Sequence, residues 1–300
     1  MYYNINDRLF LKGVGFLVYR AKRTSEYMAL SLFAGVLILF VQSFTVTEAT
    51  VPSIYLRGVL NAAFAALRLA VPAFIFMRMQ KFSGDAPVKI EKAPECSEKC
   101  NVTLAFVGFA FIFCFGMLYS AAFPTAANSF SDSNIFSAFI TILGSAIVPA
   151  VFEEILYRKV FCAELTVHGG VFAAIISALL FGLGHFSFYA FPYAFICGLV
   201  LAFVYLKTGS VKYTVAIHFA NNLLGYVCAF ISTKLDPLDY TNVMLVLFIA
   251  IGVSALGACY YLMANMKKFA LCENGGAPSS VFLTFPMVVY IFCAVLMNFI

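Results

Sequence analysis

Apolar runs of about 18 to 25 residues, broken by short polar, glycine- or proline-containing stretches, recur along almost the whole chain. A helix needs a run of that length to cross the hydrocarbon core of a bilayer. The pattern predicts spans near Ala29–Val46, Gly58–Met77, Val102–Ala122, Ile135–Cys162, Gly170–Ser187, Tyr189–Leu206, Val211–Ser232, Val243–Met263 and Val281–Ile300. The break between the fifth and sixth rests on Tyr189-Ala-Phe-Pro192 alone. Before the first span, Met1–Tyr27 interleaves Leu9, Phe10, Leu11, Val14, Phe16, Leu17 and Val18 with Arg8, Lys12, Arg20, Lys22 and Arg23. That is the pattern of a basic amphipathic helix in the membrane plane. It is not that of a cleaved signal peptide, whose basic region before the first apolar run is shorter.

Composition agrees with the spacing. The chain is 63% hydrophobic and 11% charged, with a mean hydropathy of +0.95, against roughly 25% charged residues in a soluble domain. The expected fold is all-α: a polytopic transmembrane helical bundle of eight or nine spans with a cytoplasmic N-terminus. A cytoplasmic segment at 1–28 would precede one transmembrane domain at 29–300, with no room for a separate soluble domain. Lys and Arg support that orientation through the positive-inside rule. Sixteen of the nineteen fall on one side of the predicted spans, from the N-terminal segment to Lys267 and Lys268, leaving Arg57, Lys234 and the mid-span Arg68. The opposite loops, such as Phe123–Asn134, are short and nearly uncharged. A net charge of +5 gives no reason to expect a nucleic-acid partner. The nine cysteines are scattered, mostly within apolar runs, and read as free thiols; Cys96 and Cys100 alone do not make a zinc site.

Few polar residues remain at membrane depth, and ionisable groups there normally face a cavity or a partner. Val151-Phe152-Glu153-Glu154-Ile155-Leu156-Tyr157-Arg158 sets two carboxylates inside an apolar run. Neighbouring helical residues point in different directions, so the two glutamates have different tasks. Glu154 and Arg158 are spaced i, i+4 in the favoured acid-before-base order, which frees Glu153. His185 ends Phe181-Gly-Leu-Gly-His185, and His218 opens His218-Phe-Ala-Asn221-Asn222. Glu153 lies sixteen residues before the expected turn at Gly169 and His185 sixteen after it. The two are therefore level, about 24 Å from the tip of the hairpin. His218 reaches the same depth if that hairpin, with Lys159, Glu164 and His168 at its end, projects about 10 Å further. His168 beside Gly169-Gly170 reads as an ordinary loop residue. Arg68 is expected to be capped by backbone carbonyls, or else to neutralise Glu154 or hold a substrate carboxylate.

A glutamate and a histidine facing one water can deprotonate it for attack on a carbonyl. A second histidine with an asparagine one turn later can donate to the oxygen that becomes negative. His218 with Asn222 meets that requirement, and Asn221 is the near alternative. The same residues could also bind zinc through Glu153, His185 and His218, leaving an open position for water. No His-Glu-x-x-His or Gly-x-Ser-x-Gly run is present.

Glu153-Glu154-x-x-x-Arg158, Phe181-x-x-x-His185 and His218-x-x-x-Asn222 resemble, in order, the three motifs of the CPBP family of CAAX-processing and bacteriocin-processing membrane proteases. The resemblance covers residues 135–232. It implies an all-helical intramembrane endopeptidase with a chamber open to the cytoplasm, acting on a hydrophobic or lipid-modified peptide, in a multi-pass cell membrane protein of bacterial type. Carried over, Glu153 and His185 would activate water, His218 and Asn222 would form the oxyanion hole, and Glu154–Arg158 would support them. A zinc ion is the one cofactor the resemblance leaves open. The competing classes are a transporter, with Pro149, Gly182 and Gly184 as helix breaks, and a non-catalytic immunity or scaffold protein of the same fold.

Overall fold

Within hydrocarbon each backbone N–H and C=O needs a partner in its own segment, so the apolar runs fold as helices. The computed structural model describes residues 5–90, 97–123, 135–265 and 282–297, with side chains from Val18 onward. Regular structure among them is entirely helical. The rods are α1 (Ile5–Thr45), α2 (Ile54–Phe82), α3 (Glu98–Ala122), α4 (Ile135–His168), α5 (Gly170–Leu183), α6 (Ala190–Thr208), α7 (Val211–Ser232), α8 (Pro237–Asn265) and α9 (Phe285–Leu296). Seven are long and apolar enough to cross a membrane, α1 counted over Val18–Thr45. With 14 and 12 residues, α5 and α9 measure about 21 and 18 Å, less than the ~30 Å hydrocarbon core. Most of the Phe123–Asn134 loop, Lys267, Lys268 and both ends of the ninth expected span lie outside the described residues. Seven cysteines are described, and all are free thiols.

The helix α1 continues without a break across residue 28, and Ala21, Thr24, Ser25, Met28 and Ala29 are buried. Its polar side chains bind the neighbouring elements. Arg20 donates to Glu164 Oε1 through Nε (3.1 Å) and Nη2 (2.8 Å), while Gln80 Nε2 donates to Glu164 Oε2 at 2.5 Å. Arg23 pairs with Asp85, and the Ser25 hydroxyl donates to the Phe282 carbonyl ahead of α9. Glu164 is thus buried beneath α1. His168 is buried as well, with its ring edge on Phe172 and no hydrogen bond at either nitrogen. The expectation of an ordinary loop residue does not hold at His168, because α1 covers the turn.

Within α4 the helix widens twice into π-helical turns, at Leu143–Ile147 and Glu154–Cys162. Such turns are rare and tend to occur at functional sites. Proline accounts for the first: Pro149 has no N–H to give the Ser145 carbonyl four residues earlier. The expected fifth span also ends early, at Leu183 and not at Ser187. After Gly184 the chain turns through Phe186 at φ +49°. That left-handed backbone is uncommon for a bulky residue, and it lifts His185 out of the helix onto a turn.

Small residues let α5 and α6 approach closely. A Cβ at Gly198 would stand 3.0 Å from both Cα and Cβ of Ala178 and 3.2 Å from Phe181 Cδ1. Backbone cannot yield as a side-chain tip can. Gly198→Ala is expected to push the helices apart at Phe181 and cost about 1–3 kcal/mol, read as a lower thermal midpoint in detergent. An unchanged midpoint would mean that the α5–α6 contact is not tightly packed.

Candidate active site

The site grows from the widened part of α4. Glu154 and Arg158 are fully buried, and Arg158 Nε donates to Glu154 Oε2 at 3.0 Å. The carboxylate's other oxygen, Oε1, lies 3.0 Å from His218 Nδ1 on α7. An ionised carboxylate can only accept, so Nδ1 carries the proton and donates. Glu154 therefore holds Arg158 with one oxygen and orients the His218 ring with the other. The predicted Glu154–Arg158 pair is present, but half of what it does was not legible in the spacing.

Two further side chains, Ser177 and Phe181, complete the support. Arg158 Nη1 donates to Ser177 Oγ at 3.1 Å, and the Ser177 hydroxyl donates to the Tyr157 carbonyl at 2.7 Å. In this way α5 serves both the buried cation and a carbonyl of the π-turn. The Arg158 guanidinium also stands over the Phe181 ring, 4.7 Å from its centre. Phe181 in turn sets its ring edge-to-face with His185 (5.0 Å) and with His218 (5.8 Å). One aromatic side chain thus packs against both predicted histidines and the arginine. Sequence reasoning quoted Phe181 only as the start of a motif and passed over Ser177, although its hydroxyl is conspicuous in the otherwise apolar run of α5.

Glu153 is 8% exposed, and its Oε2 accepts no hydrogen bond from a described residue. His218 Nε2 stands 3.9 Å from that oxygen, too far for a direct bond and close enough for one small molecule to touch both. His185 is exposed on its turn. Its Nδ1 lies 2.9 Å from the Phe181 carbonyl; the carbonyl can only accept, so Nδ1 donates and Nε2 keeps its lone pair. Glu153 and His185 make no hydrogen bond or ion pair with each other. What joins their neighbourhoods is Phe181.

Asn222 and Asn221 part company. Asn222 Nδ2 donates to the Ser145 carbonyl at 3.3 Å, the carbonyl whose i+4 donor Pro149 removes, whereas Asn221 Oδ1 accepts from the Tyr193 hydroxyl at 3.1 Å on α6. Asn222 accordingly faces α4, on the same side of α7 as His218, and Asn221 is turned away. A zinc ion held by Glu153, His185 and His218 would need all three donors about 2.0–2.2 Å from one point. Among the described residues no group of three or more His, Cys, Asp or Glu side chains could hold a metal ion. Glu153, His185 and His218, the zinc ligands expected from sequence, do not converge on one such point.

These features define a polytopic helical membrane protein with an acid–histidine centre built into a widened helix. Residues 135–224 match the model of the Rce1-like family, described as type II CAAX prenyl endopeptidase Rce1-like, and the matched stretch contains every residue of the site. The chain is also 25% identical over 159 residues to the membrane-embedded CAAX protease MroQ of Staphylococcus aureus (strain USA300). That alignment covers 48% of this chain and 64% of the relative. Both findings support membership of the CPBP family. No solved structure matches the chain.

Proposed function

We propose that the chain is a membrane-embedded endopeptidase that hydrolyses a peptide bond in a hydrophobic or lipid-modified peptide by direct attack of water. The family match and the relative described as a CAAX protease support the class. One observation carries the chemistry: His218 is locked by Glu154 with its free nitrogen 3.9 Å from the unpartnered oxygen of Glu153. A peptide carbonyl entering there meets a base on one side and hydrogen-bond donors on the other.

In this reading Glu153 takes a proton from water, and His185 Nε2, a free acceptor, helps to orient it. The water oxygen then bonds to the carbonyl carbon. The carbonyl oxygen becomes negative beside His218 and Asn222, whose N–H groups stabilise it. Because His218 Nδ1–H is committed to Glu154, donation from Nε2 requires the imidazolium form, flanked by Glu153 and Glu154. Collapse breaks the C–N bond, and the proton held by Glu153 passes to the leaving amine. The distribution of Lys and Arg supports a centre toward the cytoplasmic face of a cell membrane.

Replacing His218 by alanine is expected to lower kcat by about 10²–10³-fold with little change in KM, the loss that follows removal of one oxyanion donor. Steady-state cleavage of a quenched hydrophobic peptide by purified protein checks it. An alanine variant as fast as the wild type would remove His218 from the mechanism.

A further inference from the structure

Gly184, the residue before His185, is a glycine that its own backbone does not require. Its φ of −64° and ψ of −11° are right-handed helical, a region open to every L-residue. What excludes a side chain there is Tyr157 of α4. A Cβ at Gly184 would collide with the Tyr157 hydroxyl oxygen, whereas its next nearest neighbours, the Leu180 and Phe181 carbonyls, stand at 3.4 Å. No other atom of Tyr157 comes closer than those carbonyls. One oxygen atom fills the place of the missing methyl group.

The Tyr157 ring has little freedom to swing aside. It is buried at right angles to Phe161, 6.0 Å away, and to Phe181, 5.4 Å away. Its backbone is held as well, since the Tyr157 carbonyl accepts from the Ser177 hydroxyl on α5. Phe181 is confined in its turn, with its Cδ1 3.2 Å from where a Cβ at Gly198 would stand. Protein interiors of this kind transmit a displacement and do not absorb it. A group forced against Tyr157 therefore pushes on Phe181, and through it on His185 and His218.

The position of this contact bears on the chemistry. Tyr157 lies four residues after Glu153 on α4, and Gly184 immediately precedes His185. Glu153 and His185 do not touch, so their spacing is set by the elements that carry them. His185 stands beyond the end of α5, on a turn closed by its own N–H to the Gly182 carbonyl at 3.2 Å and by Phe186 N–H to the Leu183 carbonyl at 3.1 Å. From α6, Phe191 packs on the same turn, its Cδ2 3.0 Å from where a Cβ at Gly182 would stand. The turn is thus gripped by α4 through Tyr157 and by α6 through Phe191.

We infer that Tyr157 is a positioning residue, whose hydroxyl against Gly184 sets the distance between the His185 turn and the helix that carries Glu153. This role rests on the endopeptidase reading and adds a residue to its machinery.

The test exchanges one atom for another. Gly184→Ala adds a methyl group where the hydroxyl stands, Tyr157→Phe removes the hydroxyl, and the double variant does both. In the double variant the methyl group keeps 3.4 Å or more to the rest of the ring. Cleavage of a quenched hydrophobic peptide gives kcat and KM, and the Cε1–H resonance of His185, assigned with His185→Gln, reports its surroundings without turnover. Gly184→Ala is expected to lower kcat about 10–100-fold at nearly constant KM, as a displacement of about 1 Å does, and to shift the resonance. Tyr157→Phe, the change that disturbs the fold least, should give a smaller fall and a smaller shift. The double variant should recover most of the rate and return the resonance, the non-additivity expected of side chains in contact. Wild-type kcat in both single variants, or a double variant no faster than Gly184→Ala, would overturn the role. Were Gly184→Ala not to fold, a wild-type rate and resonance in Tyr157→Phe would overturn it equally. A resonance that shifts and returns in a protein that cuts no peptide would retain the contact and overturn the endopeptidase reading.

Discussion

Glu153→Gln is expected to end peptide turnover while leaving the protein folded. Glutamine keeps the size of the side chain and loses its basicity. General-base catalysis contributes about 10²–10⁴-fold, so the residual rate should fall at least that far. Stability should move the other way or not at all. Glu153 is buried with Oε2 unbonded, and a buried carboxylate short of hydrogen bonds is a cost that the neutral amide reduces. Cleavage assays and thermal unfolding on the same detergent preparation check both halves. Wild-type turnover in Glu153→Gln would eliminate it as the base. A collapsed melting transition would show instead a structural glutamate.

The adjacent glutamate should behave differently. Glu154→Gln is expected to cost about 3–5 kcal/mol, because it strands the fully buried Arg158 without its counter-charge. Ser177 and the Phe181 ring remain beside the guanidinium, and neither is an anion. Activity should fall as well, since the Nδ1 anchor of His218 is weakened. The double variant Glu154→Gln/Arg158→Met should recover much of the stability, as apolar replacements of buried ion pairs often do, but not the activity. A wild-type melting point for Glu154→Gln would refute the clamp. Full activity in the double variant would show that His218 needs no anchor. Two neighbouring residues thus separate into one whose loss affects turnover alone and one whose loss affects turnover and folding together.

The contrast between these residues marks what could be read from sequence. Glu153 and Glu154 stand out because so few charges occur in the apolar runs, and adjacency on a helix already separates their directions. The i, i+4 spacing identified Arg158 as one partner of Glu154. Its second partner, His218, is 64 residues away, and no local periodicity reports such a contact. Asn222 was preferred to Asn221 on helical spacing alone, and the packing of α7 between α4 and α6 turns them as that spacing requires. The position of His185 was half legible. Counting along the hairpin leads one to expect it level with Glu153 and inside a helix, whereas the helix ends at Leu183 and the residue sits on a turn. Glycines at 182 and 184 hinted at that break without locating it.

The sequence by itself determined the class of fold, because hydrocarbon leaves an apolar run of span length little alternative to a helix. It also singled out the candidates for the chemistry, since ionisable groups at membrane depth normally mark a functional site. Tertiary structure alone decided how those groups are shared. It placed Glu154 between Arg158 and His218, set Phe181 against both histidines and widened α4 through Glu154–Cys162. Each depends on contacts between distant segments, and such contacts follow from how helices pack rather than from the pattern within any one of them.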